Sequence, residues 1–496
     1  MLRHERRLMD KQQNHTEIID KILSGARWAV TLRLIGQAIS WLSTIIVVRF
    51  ISPADYGLNA MLEAPAELLM LLSTLGLDLA LVRAKKVRED ELRSVFGWLL
   101  VINSLLFLIY FFGASLIAVY FNEPRLELLG RVLAFVFLLT PFRVVPNALL
   151  DRELKFKLRA FVELIASVSA AIATLALAVL GAGVWALVAG VMINRILLTI
   201  LLMILQPWII VPSLSFSSIR GMIAFGGIMF LWISLVLIAD KLAILIAGPI
   251  LGAEMLGIFE VTFQFALLPL VKVMPVINPI MFPAFSKFQD QRDVATHYLE
   301  KSLGIVALGL FPIMLGTASV SQEFVATILG EKWLAVATPL ALLSIAMPFR
   351  MTTSFLRPVL NSMGRPDLAL KSTIVALVVL LPLILIGAHE GVMGLVIALA
   401  ITELIVVLFT ISMSKAVLDV SFVKIGRNFR PAIVSSCVMA LSVVGIKAVF
   451  GVQNGFGGLL LIEIGAGAII YYLMLRIFYR KLLQDAIRLF LGRRKS

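Results

Sequence analysis

Long apolar runs alternate with short polar links along almost the whole chain. A bilayer core about 30 Å thick needs roughly 20 helical residues. On that ruler the runs predict fourteen spanning helices, at 26–48, 57–80, 94–119, 128–150, 160–180, 184–205, 219–247, 256–283, 298–320, 334–356, 368–388, 391–411, 430–450 and 456–478. The second run is the weakest, because Glu63, Pro65, Glu67 and Asp78 interrupt it. Its polar residues are expected to face a cavity or protein, since lipid offers them no partner. Helices satisfy their own backbone hydrogen bonds inside a bilayer. The pattern therefore predicts an all-α polytopic membrane protein.

The pattern repeats. Pro141-Phe142-Arg143 sits inside the fourth run and is followed by a basic link, and Pro348-Phe349-Arg350 sits 207 residues later inside the tenth. Ala54-Asp55-Tyr56-Gly57 follows the first run, and Ala253-Glu254-Met255-Leu256-Gly257 follows the seventh. Gly183-Val184 opens the sixth and Gly391-Val392 the twelfth. Three matches in the same order predict two pseudo-repeated lobes of six helices, inserted in the same sense and related by an axis along the membrane normal. The expected organisation is a cytoplasmic segment at 1–25, with a short interfacial helix within it, and an N-lobe at 26–205. A cytoplasmic linker at 206–218 leads to a C-lobe at 219–411. Two additional helices follow within 412–478, then a basic cytoplasmic tail at 479–496.

Charge sets the orientation. Alternate links carry most of the cations, including Lys85, Lys86, Arg152, Lys155, Lys157, Arg159, Arg365 and Lys371. The opposite links are relatively acidic, with Asp55, Glu123, Glu254, Glu331 and Glu390. The positive-inside rule then puts both termini in the cytoplasm, and an even number of spans requires the same. This distribution accounts for the net charge of +14 as a topology signal, so no nucleic-acid partner is inferred. The polar N-terminus does not have the form of a cleavable signal peptide.

Composition narrows the chemistry. The chain is 60% hydrophobic and 15% charged, against about a quarter charged in an ordinary soluble domain. A single cysteine, Cys437, and four histidines make no ligand cluster, so no metal is expected. No phosphate-binding Walker loop, zinc-protease motif or nucleophile elbow occurs. The outer links are too short for an external catalytic domain, which argues against an enzyme.

The chemistry instead lies in charges placed within the spans, which are costly unless paired or wet. Arg33, Arg143, Arg195, Lys241, Lys272 and Arg350 are candidates to line a substrate cavity. Glu67, Asp240, Glu260 and Glu403 are candidates for charge balance or ion coupling. Arg143 and Arg350 lie near the cytoplasmic ends of their helices, from where they can also snorkel. Pro141, Pro269, Pro275, Pro279 and Pro348 are candidates for kinks or gates. A wet cavity holding several cations and a few acids suits a phosphorylated, sugar-bearing head group. Arginine presents a planar fork of donors to phosphate oxygens.

The fourteen runs, the duplicated halves and the stretch Phe50-Ile51-Ser52-Pro53-Ala54-Asp55-Tyr56-Gly57 resemble the polysaccharide transporter family of the multidrug/oligosaccharidyl-lipid/polysaccharide (MOP) superfamily. The Wzx-type flippases, especially the colanic acid and succinoglycan exporters, are most similar. The likeness covers residues from about 26 to 479. It implies a MATE-like fold in a bacterial inner membrane. It also implies alternating-access movement of an undecaprenyl-diphosphate-linked oligosaccharide repeat unit from the cytoplasmic to the periplasmic leaflet. The product would feed exopolysaccharide, capsule or O-antigen synthesis. Implied partners are membrane lipids and the polysaccharide polymerase and export machinery. H+ or Na+ is the implied coupling ion, and a monomer the working unit. A lipid II flippase and a multidrug antiporter are the alternatives. The cationic interior disfavours the antiporter.

Overall fold

The computed structural model describes residues 28, 31–32, 35–83, 88–207, 210–450, 455–480, 482 and 484. Ordered elements are helical. Helix α1 covers Ile35–Val48. It is followed by α2 (Pro53–Leu72), α3 (Leu77–Arg83), α4 (Glu89–Tyr120), α5 (Arg125–Arg152), α6 (Phe156–Val179), α7 (Val184–Leu205) and α8 (Phe216–Ser286). The second half of the chain has α9 (Arg292–Ser319) and α10 (Ser321–Phe324), then a π turn at Val325–Leu329 and a 3-10 turn at Glu331–Val336. It continues through α11 (Ala337–Ser362), α12 (Pro366–Gly387), α13 (Gly391–Ser414), α14 (Phe422–Phe450) and α15 (Gly455–Phe478). Among the described residues, ten helical stretches are long and apolar enough to cross a membrane. The chain is a polytopic membrane protein. It divides into two compact units, Met1–Leu237 and Ile238–Ser496, so the division falls inside α8.

Local chemistry explains where the helices start and stop. In the N-terminal unit, Ser52 caps α2: its hydroxyl oxygen accepts the Asp55 N–H at 3.2 Å, and Pro53 occupies the first turn. Proline there costs no hydrogen bond and presets the helical φ. The second predicted span, 57–80, is not one helix. Helix α2 ends at Leu72, Leu75 and Gly76 take φ of 46° and 73°, and α3 begins at Leu77. The left-handed pair cannot continue an α-helix. Asn103 of α4 secures the break, donating to the Ser73 carbonyl at 2.8 Å. Near Pro65, the Tyr110 hydroxyl donates to the Leu62 carbonyl at 2.7 Å and ties α2 to α4.

In the predicted linker at 206–218, the described residues before Phe216 are non-helical, and Ser213 packs onto α4. The Ser213 N–H donates to the Arg93 carbonyl at 3.0 Å. Gly97 makes room for it, since a Cβ there would lie 2.1 Å from the Ser213 carbonyl oxygen.

In the C-terminal unit the Pro269, Pro275 and Pro279 region stays within α8, and the non-helical residue of that helix is Gly252, at φ 74° and ψ 175°. This region of φ/ψ is open essentially to glycine alone. The seventh and eighth predicted spans therefore meet at Gly252 with no intervening loop. Residue 252 directly precedes the Ala253-Glu254 motif, just as Ser52 and Pro53 precede Ala54-Asp55.

The two Gly-Val motifs share a geometry as well. Gly183 precedes α7 at φ 56°, and Gly391 opens α13 at φ 75°. Both bend the chain sharply between antiparallel neighbours. A Cβ on Gly183 would also lie 3.1 Å from an Asp55 carboxylate oxygen. Gly183→Ala is expected to cost about 1–3 kcal/mol, and Gly391→Ala a similar amount. Thermal unfolding of each purified variant checks this, with a melting point lowered by several degrees.

Candidate functional site

Two constellations of charge stand out, one in each unit. In the N-terminal unit α2 brings Glu63 and Glu67 to one face, four residues apart and so one helical turn. Arg195 reaches toward that face from α7. The charges of Glu63 and Glu67 both act on its guanidinium. Arg195 and Glu63 line a cavity of about 310 Å³, with Ser40, Ser43 and Thr44 of α1 and Asn59 of α2. Ser167 and Thr174 of α6 and Asn194 of α7 also line it. A second cavity of about 130 Å³ shares Glu63, Val191 and Arg195 and adds Glu67. Gly190 lets α6 and α7 close beside the larger cavity, because a Cβ there would meet the Thr174 hydroxyl at 2.0 Å.

Arg195 is half-buried and its guanidinium makes no ion pair or hydrogen bond among the described residues. The same holds for Arg143 on α5, which feels the charges of Arg195, Asp78, Arg159 and Glu163. Arg159 is committed elsewhere. It bridges Asp151 and, at 2.8 Å, Glu163, and so fastens the α5–α6 turn. Among its described residues the N-terminal unit thus holds two guanidinium groups without an ion pair or hydrogen bond, one of them on the wall of a polar cavity.

The C-terminal unit has the opposite arrangement. Arg350 on α11 donates to Asp240 of α8 at 2.6 Å and to Glu403 of α13 at 2.7 Å. Its fork thereby joins three helices. Its guanidinium also lies 5.5 Å from the centre of the Phe263 ring, a cation–π distance. Arg357, two turns further along α11, donates to the Ser372 hydroxyl at 3.2 Å and feels both carboxylates. The two Pro-Phe-Arg segments are alike in sequence but not in pairing: Arg350 is paired with two carboxylates and, among the described residues, Arg143 is not.

The remaining predicted residues are placed as follows. Lys241, Glu260 and Lys272 are half-buried on α8, and Lys241 points away from its neighbour Asp240 as the 100° helical step requires. Pro141 and Pro348 lie inside α5 and α11, whose helices run through them. Arg33 lies outside the described residues. Sequence reasoning passed over Glu63 and Arg357 as site residues. Each sits one or two whole turns from a residue it did select, and that spacing was the available signal.

Packed apolar helices that bury charge pairs and set an arginine on the wall of a polar cavity define a polytopic membrane protein with charge placed inside its spans. The fold agrees. The structure of the lipid II flippase MurJ in an inward closed conformation superposes with a TM-score of 0.75 over 92% of this chain and 99% of that one, at 15% identity. An inward-facing multidrug resistance MATE family transporter of the MOP superfamily does so at 0.60 over 78% and 98%, at 16% identity. Residues 46–338 match the polysaccharide biosynthesis protein family. The chain belongs to that family. The lipopolysaccharide biosynthesis protein WzxC of Escherichia coli (strain K12) is 27% identical over 416 residues, covering 81% of this chain and 83% of that protein.

Proposed function

We propose that this protein carries a lipid-linked oligosaccharide with an undecaprenyl-diphosphate anchor from the cytoplasmic to the periplasmic leaflet of a bacterial inner membrane. It works by alternating access, with fourteen spans, two six-helix halves and both termini in the cytoplasm. The observation that carries this reading is the uncommitted Arg195 guanidinium on the wall of a polar cavity. A diphosphate needs such a fork of donors. The surrounding Ser, Thr and Asn side chains suit sugar hydroxyls. The cavity volume lies at the lower end of the range for small-molecule sites, enough for part of the head group while the polyprenyl tail stays in lipid.

The nearby acids serve release. An arginine pair alone would hold a diphosphate too firmly to let it go. Glu63 and Glu67 repel the phosphate while leaving the fork available, so binding stays reversible. Arg350, with both its carboxylates, acts as the fixed strut of the other unit. Family membership supports a glycan cargo. The repeated glycine geometry at Gly183 and Gly391 supports the duplicated architecture.

Depletion of the protein in its host tests the cargo. Diphosphate-linked repeat units are expected to accumulate on the cytoplasmic face, hidden from a membrane-impermeant glycan label until spheroplasts are lysed. Repeat units that reach the outer face but stay unpolymerised would refute transport and point to a later assembly step. Accumulation of lipid II alone would reassign the cargo to the peptidoglycan precursor.

A further inference from the structure

Helices α14 and α15 lie outside the duplicated halves, yet they enclose a charged cluster of their own. Glu463 sits in the middle of α15 and is 0% exposed, while its neighbours Leu461, Ile462 and Ile464 are exposed. The side chain therefore points inward from a helix whose outer face is apolar. Both of its carboxyl oxygens are buried and have no hydrogen-bond partner among the described residues, as is true of both Glu323 oxygens. Glu323 of α10 is equally buried, and the Lys447 ammonium of α14 lies 2.6 Å from one of its oxygens. The same ammonium contacts the Gln322 side chain at 3.3 Å. The charges of Glu323 and Lys447 both reach Glu463. One turn from Glu323, Lys447 and Glu463 respectively, Val320, Val443 and Leu460 form a buried apolar cluster, with Phe324 and Ile328 packed on it.

The charges do not balance. Two carboxylates face one ammonium, and among the described carboxylates Lys447 lies within ion-pair distance of Glu323 alone. The charged groups of α9 are confined to 292–301, at the far end of that helix from Ser319. The π turn at Val325–Leu329 contributes none. Tyr471, two turns along α15, donates to the Leu308 carbonyl at 2.7 Å and is not available to Glu463. An ionised carboxylate without donors in an apolar site costs several kcal/mol. A neutral acid avoids that cost.

We propose that Glu463 carries a bound proton, so that Glu323, Lys447 and Glu463 form a proton-binding site joining the C-terminal helix pair to the segment at 321–329. The site holds the net charge of the cluster at zero. Losing the proton would leave a net negative charge between α10 and α15 and loosen their packing. This site is independent of the arginine cavity and of the cargo.

Infrared difference spectroscopy of the full-length protein in nanodiscs, titrated between neutral and alkaline pH, tests the assignment. A protonated carboxyl gives a carbonyl stretch distinct from that of a carboxylate. The wild type is expected to show this band at neutral pH, and Glu463→Gln to remove it while keeping the wild-type melting temperature. Glu323→Gln is expected to retain the band or lower the pH at which it disappears, because it removes a like charge. Persistence of the same band in Glu463→Gln would overturn the proposal. Loss of the wild-type band on adding sodium at constant pH would also overturn it, and assign the site to a monovalent cation.

Discussion

Replacing Arg195 with alanine is expected to reduce delivery of the lipid-linked glycan by about tenfold to a hundredfold. A hydrogen bond to a charged group contributes about 1.5–3 kcal/mol, and each 1.4 kcal/mol is a factor of ten. The loss should be functional, with the variant present in the membrane at the wild-type level, because Arg195 makes no ion pair among the described residues whose loss would strand a partner. Arg195→Lys keeps the charge but not the planar fork, and should fall between the two. Arg143→Ala should weaken transport in the same direction. Arg131→Ala serves as the control. Arg131 pairs with Glu127 at 2.5 Å in a partly exposed one-turn bridge, and such pairs contribute little. Polymer yield and surface glycan, measured at matched protein level, read out all four variants.

Arg350→Ala should act through stability instead. It leaves Asp240 and Glu403 without their shared cation, and Glu403 is only 11% exposed at its side chain. Removing one member of a buried ionic network typically costs about 3–5 kcal/mol. Asp240 is one third exposed, which water screens, so the lower end of that range is expected. Purified Arg350→Ala should unfold several degrees below the wild type in detergent. Converting all three charges together, as Arg350→Gln with Asp240→Asn and Glu403→Gln, should recover most of that loss. A triple variant no more stable than Arg350→Ala would show that the network contributes by specific geometry and not by charge compensation.

The contrast between Arg143 and Arg350 shows where sequence reading stops. Apolar runs of bilayer length located nearly every long helix, because an exposed backbone polar group has no partner in lipid and only a helix avoids it. Break points were less legible. The end of α2 depends on left-handed Leu75 and Gly76, and the bend of α8 on Gly252. A glycine permits such a turn without requiring it, and neither run loses its hydrophobicity there. Pairing was the least legible feature. Arg350 is separated from Asp240 by 110 residues and from Glu403 by 53. No periodicity along one helix encodes which residues of three helices meet. The sequence pointed to the duplicated Pro-Phe-Arg segments as equivalent, and only the packing distinguishes the paired Arg350 from Arg143. Glu63 was readable in principle, since it precedes Glu67 by one turn. It was expected, with the other polar residues of that run, to face a cavity or protein, but was not singled out as a site residue beside Arg195 of α7.

The Glu323–Lys447–Glu463 cluster has the same origin. Each residue alone is an isolated charge near the end or middle of an apolar run. Their excess of one negative charge appears only when α10, α14 and α15 are packed together. The appended helices therefore add more than hydrophobic surface to the C-terminal unit.

The most direct test of the central claim is reconstitution. Purified protein in liposomes is given an undecaprenyl-diphosphate oligosaccharide on the outer leaflet. Its loss from reach of an impermeant glycosidase is then followed over time. Wild-type protein is predicted to move the lipid in both directions, Arg195→Ala and Arg143→Ala to slow it by tenfold or more, and Arg131→Ala to leave it unchanged. Equal rates for the wild type and both arginine variants would contradict the account, as would no movement of the lipid by folded wild-type protein.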